Sequence, residues 1–176
     1  SLIALIVVFP IRFFVAQPFI VSGASMDPTF HNGQYLIVDQ LSYHFENPAR
    51  GEVIVFKYPK DPSKYFIKRV IGLPGDTLVI AGNVITIKNA ENPDGFVLTE
   101  PYVLHMAPNT TLTEILGEHE YFVMGDNRDA SSDSRIWGVL REDLIVGRAF
   151  LRLFPIDTAG ITPGSLEEFP TDTATR

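Results

Sequence analysis

Ser25 lies in Val21-Ser22-Gly23-Ala24-Ser25-Met26-Asp27-Pro28-Thr29, where an apolar run gives way to a polar turn. Gly23 and Ala24 leave room for a second backbone to approach the hydroxyl, as an acyl-transfer nucleophile needs. A serine in such a place is ordinarily a surface hydroxyl or a helix cap. Nucleophilic chemistry therefore requires a base able to take its proton.

Histidine is the commonest base, but His31, His44, His105 and His119 fall in no metal-ligand spacing and in no G-x-S-x-G pattern. Each reads as a surface or loop residue. A lysine serves instead when burial disfavours its ammonium form. Lys68 meets that condition, because alternation along Tyr65-Phe66-Ile67-Lys68-Arg69-Val70-Ile71 puts it on one face with Phe66 and Val70 and sends Arg69 to the other. The competing reading is a lysine that protects an edge strand from aggregation.

A third stretch, Gly125-Asp126-Asn127-Arg128-Asp129-Ala130-Ser131-Ser132-Asp133-Ser134-Arg135, packs acids, arginines and hydroxyls between apolar segments. Such a loop can hold a buried lysine through local turns and bidentate arginine–carboxylate pairs; it can equally be a well-knit surface loop. A calcium loop is excluded, since counting from Asp129 the sixth position is Ser134 rather than Gly and the twelfth is Leu140 rather than Glu. The chain has no cysteine, which removes disulfides, thiolate metal sites and cysteine nucleophiles together.

Taken in order, Ser25 through Thr29, Lys68-Arg69-Val70-Ile71-Gly72-Leu73-Pro74-Gly75-Asp76, and Gly125 through Trp137-Gly138 resemble the type I signal peptidase family. With the apolar start and Tyr35 to Val38, the resemblance spans about residues 1 to 153. It implies a membrane-bound serine endopeptidase that removes signal peptides from exported preproteins after small residues at −1 and −3, without metal or cofactor. By the same resemblance Ser25 is the nucleophile and Lys68 the general base. Ser131 is the hydroxyl that hydrogen-bonds the lysine amine, and Asp133 and Arg135 form a supporting ion pair. Phe19, Val21, Met26, Phe30, Phe66 and Ile67 fall at positions similar to shallow apolar substrate pockets, beside Gly23. At Gly23 one branch of the family has a serine that helps the oxyanion hole. Glycine there, and the short spacing from Ser25 to Lys68, resemble the shorter branch that lacks the large inserted domain.

The elements that must position these groups read as strands. Tyr35 to Val38, Glu52 to Tyr58, Tyr65 to Ile71, Tyr121 to Met124 and Leu144 to Phe154 are rich in β-branched and aromatic residues. Leu78 to Ile80 and Val84 to Ile87 flank a Gly-containing hairpin connection, and Leu73-Pro74-Gly75-Asp76 suits a type II turn. Residues 88 to 118 read as loops around short strands, with one helical turn expected over Glu114 to Gly117. The fold is thus mostly β; the resemblance makes it a compact antiparallel sheet or partly open barrel behind an apolar anchor helix.

The expected organisation is a truncated membrane-anchor segment over 1–16, a catalytic domain over 17–155 and a flexible tail over 156–176. Arg12 interrupts the first apolar run before the roughly 20 residues of a membrane span are reached, so the run is read as the outer half of a longer helix. The tail is rich in Thr, Pro, Gly and acids, a composition that repays little ordering entropy. At 176 residues the chain suits one core, and its net charge of −7 disfavours a nucleic-acid partner. The partners expected are an extended signal peptide and membrane lipid, the chain acting as a monomer on the outer face of the cytoplasmic membrane. Phe9, Phe13, Phe14, Phe19 and Phe30 are expected to form an apolar surface that rests on the bilayer. Two other classes are weighed: a self-cleaving repressor, which would need a basic DNA-binding segment where the apolar run stands, and a non-catalytic membrane-tethered β domain that binds peptides.

Overall fold

The computed structural model describes residues 16–106 and 110–166. Its strands are β1 (Ala16–Ile20), β2 (Tyr35–Asp39), β3 (Val53–Tyr58), β4 (Asp61–Gly72), β5 (Thr77–Ala81), β6 (Val84–Lys88), β7 (Phe96–Val97) and β8 (Thr111–Ile115). There follow β9 (Glu120–Met124), the short helix α1 (Ser134–Trp137), β10 (Leu140–Arg141), β11 (Ile145–Phe154) and β12 (Gly160–Ile161). Among the described residues no helix is long and apolar enough to cross a membrane. The anchor segment expected over 1–16 lies outside them except for Ala16.

The strands form two antiparallel sheets. The larger runs β1-β2-β11-β3-β4-β9-β10, with β12 added beside β11; the smaller runs β7-β6-β5-β8. β3 and β4 are interior strands of the larger sheet, and the buried half of β3 reads as the continuous apolar run Val53-Ile54-Val55-Phe56. β9 pairs with β4 only from Arg69 onward, but Lys68 is 4% exposed, so it is not a solvated lysine guarding an edge.

The smaller sheet occupies most of what reads as loops in the sequence. Thr111–Ile115 pairs with β5, so the helical turn expected over Glu114 to Gly117 is not formed. The alternating half-buried and exposed pattern of Thr-Leu-Thr-Glu-Ile suits a two-residue period, and β5 supplies the backbone partners a lone helical turn would lack. The turn at Leu73–Asp76 is as expected: Gly75 has φ +83 and the Asp76 amide donates to the Leu73 carbonyl at 3.0 Å.

Beyond β11 the structure departs from the expected tail. Residues 156–166 are seated on the domain, β12 pairing with Leu151 and Arg152. The carbonyl of Gly164 accepts a hydrogen bond from Arg69 Nη1 at 2.5 Å. Low hydrophobicity hides this docking, because backbone hydrogen bonds make much of it, with only Pro163 buried and Leu166 packed over Gly51 to add apolar contact.

The apolar interior has three parts. One joins the turn after β1 to β2, β3 and β11 through Val21, Met26, Phe30, Leu36, Val38 and Val55. A second fills the smaller sheet around Leu78, Ile85 and Ile87. A third is aromatic, with Tyr58 stacked on Phe66 at 4.5 Å and Phe56 near Trp137. Met26 and Phe30 are 1% and 0% exposed, so Phe30 does not face a bilayer.

At the centre Arg69 and Asp126 are completely buried and paired, Nε to Oδ1 at 2.8 Å and Nη2 to Oδ2 at 2.6 Å. Thr29 Oγ1 donates to the same carboxylate at 2.6 Å, and the guanidinium lies 3.9 Å from the Tyr102 ring centroid. Removing one partner leaves a buried charge uncompensated, which costs about 3–5 kcal/mol. Arg69→Met is therefore expected to lower the unfolding free energy by about that amount in urea titrations, whereas Arg141→Ala, in an exposed pair, stays within about 0.5 kcal/mol. Equal losses from the two would contradict this account of the centre.

Candidate active site

Two backbone segments meet at the site. The first is the turn from Val21 to Gln34, closed by the Val21 amide on the Gln34 carbonyl at 2.9 Å and the Gly33 amide on the Val21 carbonyl at 2.8 Å. Within it Gly23 has φ +91, a conformation that a side chain disfavours, and its amide is held by Asn32 Oδ1 at 2.9 Å. The second is β4, whose pleat sends Lys68 and Arg69 to opposite faces.

Ser25 Oγ and Lys68 Nζ are 2.7 Å apart. The amine also donates to the Ile67 carbonyl at 2.9 Å and stands 5.3 Å from the Phe66 ring centroid. Lys68 is 4% exposed. Burial lowers its pKa to about 8, with Asp133 and then Asp126 pulling in the opposite direction. A neutral amine is therefore accessible near physiological pH, and it lies within hydrogen-bond reach of a hydroxyl.

The third motif holds this arrangement from the far side. The Asn127 amide donates to the Ser25 carbonyl and its Nδ2 to the Ala24 carbonyl, each at 3.1 Å. Asp133 caps α1 at the Arg135 amide and accepts two guanidinium bonds of 2.8 Å from Arg135 and one of 3.0 Å from the Gly125 amide. Burial works against its ionisation, but the Arg135 guanidinium and the Gly125 amide outweigh it and hold the carboxyl below its ordinary range. Arg128 is tied to Glu100 and to the Gly125 carbonyl.

Ser131 differs from expectation. Its hydroxyl is buried without a hydrogen-bond partner, toward Asp133 but outside hydrogen-bond geometry. It packs over the Cα of Gly125 beside the Ser25 carbonyl, while the lysine amine spends its bonds on Ser25 and Ile67. The expected bond from Ser131 to Lys68 is absent.

Ser25 and Lys68 open onto a cleft of about 480 Å³. Of the proposed pocket residues, Phe19, Val21, Gly23, Phe66 and Ile67 line it. Met26 and Phe30 do not: the turn that carries Ser25 directs them into the apolar interior, where they hold it from below. Leu36, Val55, Ala130 and Ser132 also line the cleft, and sequence reasoning missed them. The alternating pattern of β2, exposed then buried from Tyr35 to Leu36, was the available signal for Leu36. All four histidines are exposed, and no cluster among the described residues could hold a metal ion.

An antiparallel β domain that sets a serine hydroxyl on a buried lysine amine at the floor of a cleft has the arrangement of a serine hydrolase with lysine in histidine's place. Comparison with known proteins narrows the class. Residues 1–154 match the family described as "Signal peptidase, peptidase S26". A Synechocystis sp. protein named "Probable signal peptidase I-1" is 38% identical over 90% of this chain and 82% of its own length. Signal peptidase I of Leptolyngbya laminosa is 37% identical over 85% of this chain and 74% of its own. A crystal structure of a signal peptidase I from Enterococcus faecalis aligns at 28% identity and TM-score 0.49, covering 58% of this chain and 97% of that one; the assignment rests on the sequence matches. The chain belongs to the signal peptidase family, peptidase S26. It is a serine protease family of membrane-associated enzymes that act on the signal peptides of preproteins.

Gly125 is where the first and third motifs press together, since a Cβ there would collide with Ser131 and with the Ser25 carbonyl. Gly125→Ala is expected to lower the melting midpoint, the overpacking costing about 1–3 kcal/mol. It is also expected to displace Ser25 from Lys68, a shift visible in a crystal structure of the variant. An unchanged Ser25–Lys68 distance would show that the contact is not tight.

Proposed function

We propose that this chain is a membrane-anchored signal peptidase in which Ser25 is the nucleophile and Lys68 the general base. The 2.7 Å contact between Ser25 Oγ and the buried Lys68 Nζ carries the reading. Neutral Lys68 takes the proton of the hydroxyl as Oγ attacks the scissile carbonyl carbon. The resulting ammonium gives that proton to the leaving amine as the C–N bond breaks. Water, deprotonated by the same amine, then hydrolyses the ester and frees Ser25.

The oxyanion falls to the Ser25 amide, which has no hydrogen-bond partner among the described residues. Glycine at 23 supplies no hydroxyl for that purpose, and its own amide is occupied by Asn32. The Asp133–Arg135 pair acts as a support: it keeps a buried carboxylate charged yet compensated, so that the lysine remains easy to deprotonate.

The substrate enters as an extended strand between the turn carrying Ser25 and the strand carrying Lys68, with main-chain bonds for affinity and shallow apolar pockets for small residues at −1 and −3. Phe19, Val21, Phe66 and Ile67 form those pockets, and Gly23 leaves room for the substrate backbone. The apolar segment before Ala16 anchors a monomeric enzyme in the cytoplasmic membrane, its domain on the outer face against lipid. No metal or cofactor takes part.

Reconstituted in detergent or lipid with a preprotein, Ser25→Ala and Lys68→Ala are expected to keep the wild-type fold and lose cleavage by roughly 10²–10⁴-fold. Because the amine must be uncharged to accept a proton, wild-type kcat/KM is expected to fall as pH drops through about 8. Equal cleavage by all three proteins would end the dyad reading. A rate independent of pH between about 6 and 9 would remove Lys68 as the base.

A further inference from the structure

The family match ends at residue 154, yet the segment that follows is bonded into the ground beneath the site. Gly164 is buried, and its carbonyl accepts from Arg69, the residue next to Lys68. Arg152 of β11 donates from Nε to the Thr158 carbonyl at 2.6 Å and from Nη1 to the Thr29 carbonyl at 2.9 Å. Its guanidinium lies 5.6 Å from the Phe30 ring centroid. The Thr162 amide donates to the Phe150 carbonyl at 2.6 Å and completes the attachment to β11.

Gly164 touches the serine turn as closely as the lysine strand. It has φ +76, and a Cβ there would stand 2.7 Å from Thr29 Cγ2 and 2.9 Å from Phe30 Cε2. Thr29 is itself bonded to Asp126, the partner of Arg69. The segment therefore contacts the two elements whose separation sets the distance from Ser25 to Lys68.

We propose that residues 158–166 form a strap that positions the Ser25 turn against the Lys68 strand, with Gly164 within it and Arg152 of β11, which fastens it, as positioning residues. The proposal rests on the dyad reading. A proton passes between the two side chains only if the turn and the strand keep their spacing, and a displacement of about 1 Å can cost on the order of 10²-fold in rate. Glycine is required at 164 because the backbone is left-handed there and because the space above it is taken by Thr29 and Phe30.

The test uses the full chain in detergent with a preprotein, comparing wild type with Gly164→Ala, Arg152→Gln, Ser25→Ala and Ile87→Ala, the last a cavity variant buried in the smaller sheet. All are assayed at a temperature where circular dichroism shows them folded. Both strap variants are expected to lose roughly tenfold or more in kcat with KM within about twofold, while Ile87→Ala loses melting temperature and keeps kcat. Should Gly164→Ala fail to fold, Arg152→Gln decides. Wild-type kcat in the strap variants, or an equal kcat loss in Ile87→Ala, overturns the strap. If Ser25→Ala cleaves like wild type, the dyad reading falls; if it is silent while the strap variants stay fully active, the strap alone falls.

Discussion

A guanidinium sealed from water must have every donor answered, and Arg69 is sealed completely. Asp126 answers with a bidentate pair, and the carbonyls of Gly51 and Gly164 answer at one terminal nitrogen. Those partners come from three different parts of the chain, so satisfying one residue brings the loop after β9, the turn before β3 and the segment after β12 to a common point. The site inherits that arrangement. Lys68 is one residue before Arg69, and Asn127, one residue after Asp126, holds the Ser25 carbonyl.

The electrostatics of Lys68 follow from the same economy. Two buried carboxylates lie close enough to favour its ammonium form, and each is matched by an arginine: Asp126 by Arg69, Asp133 by Arg135. Desolvation then outweighs the attraction that is left. Unpaired carboxylates in those places would hold the amine charged.

Much of this was legible in the residues. β-branched and aromatic runs marked the strands of the larger sheet, alternation separated Lys68 from Arg69, and the third motif announced a cross-braced loop. Other parts were not legible, for identifiable reasons. Met26 and Phe30 fall at positions that resemble the family's substrate pockets, but the turn directs them inward, and no periodicity describes a turn. Thr111 to Ile115 shows a weak pattern that only pairing with β5 makes a strand. The docking of residues 156–166 depends largely on backbone hydrogen bonds that every residue can make, so composition carries little trace of it. The same is true of Ser131, whose neighbours are settled by how tightly Gly125 lets the loop close.

The sequence by itself determined the chemistry available: a serine after small residues, a lysine on an apolar strand face, paired acids and arginines in one loop, and no cysteine. These are properties of residue type and local period, which survive without knowledge of neighbours. Tertiary structure decided which hydroxyl meets the amine, which apolar side chains line the cleft and which support it, and that the end of the domain is fastened to Arg69. Those outcomes depend on contacts between residues far apart in the chain, where close packing and the need to satisfy buried polar groups admit one arrangement.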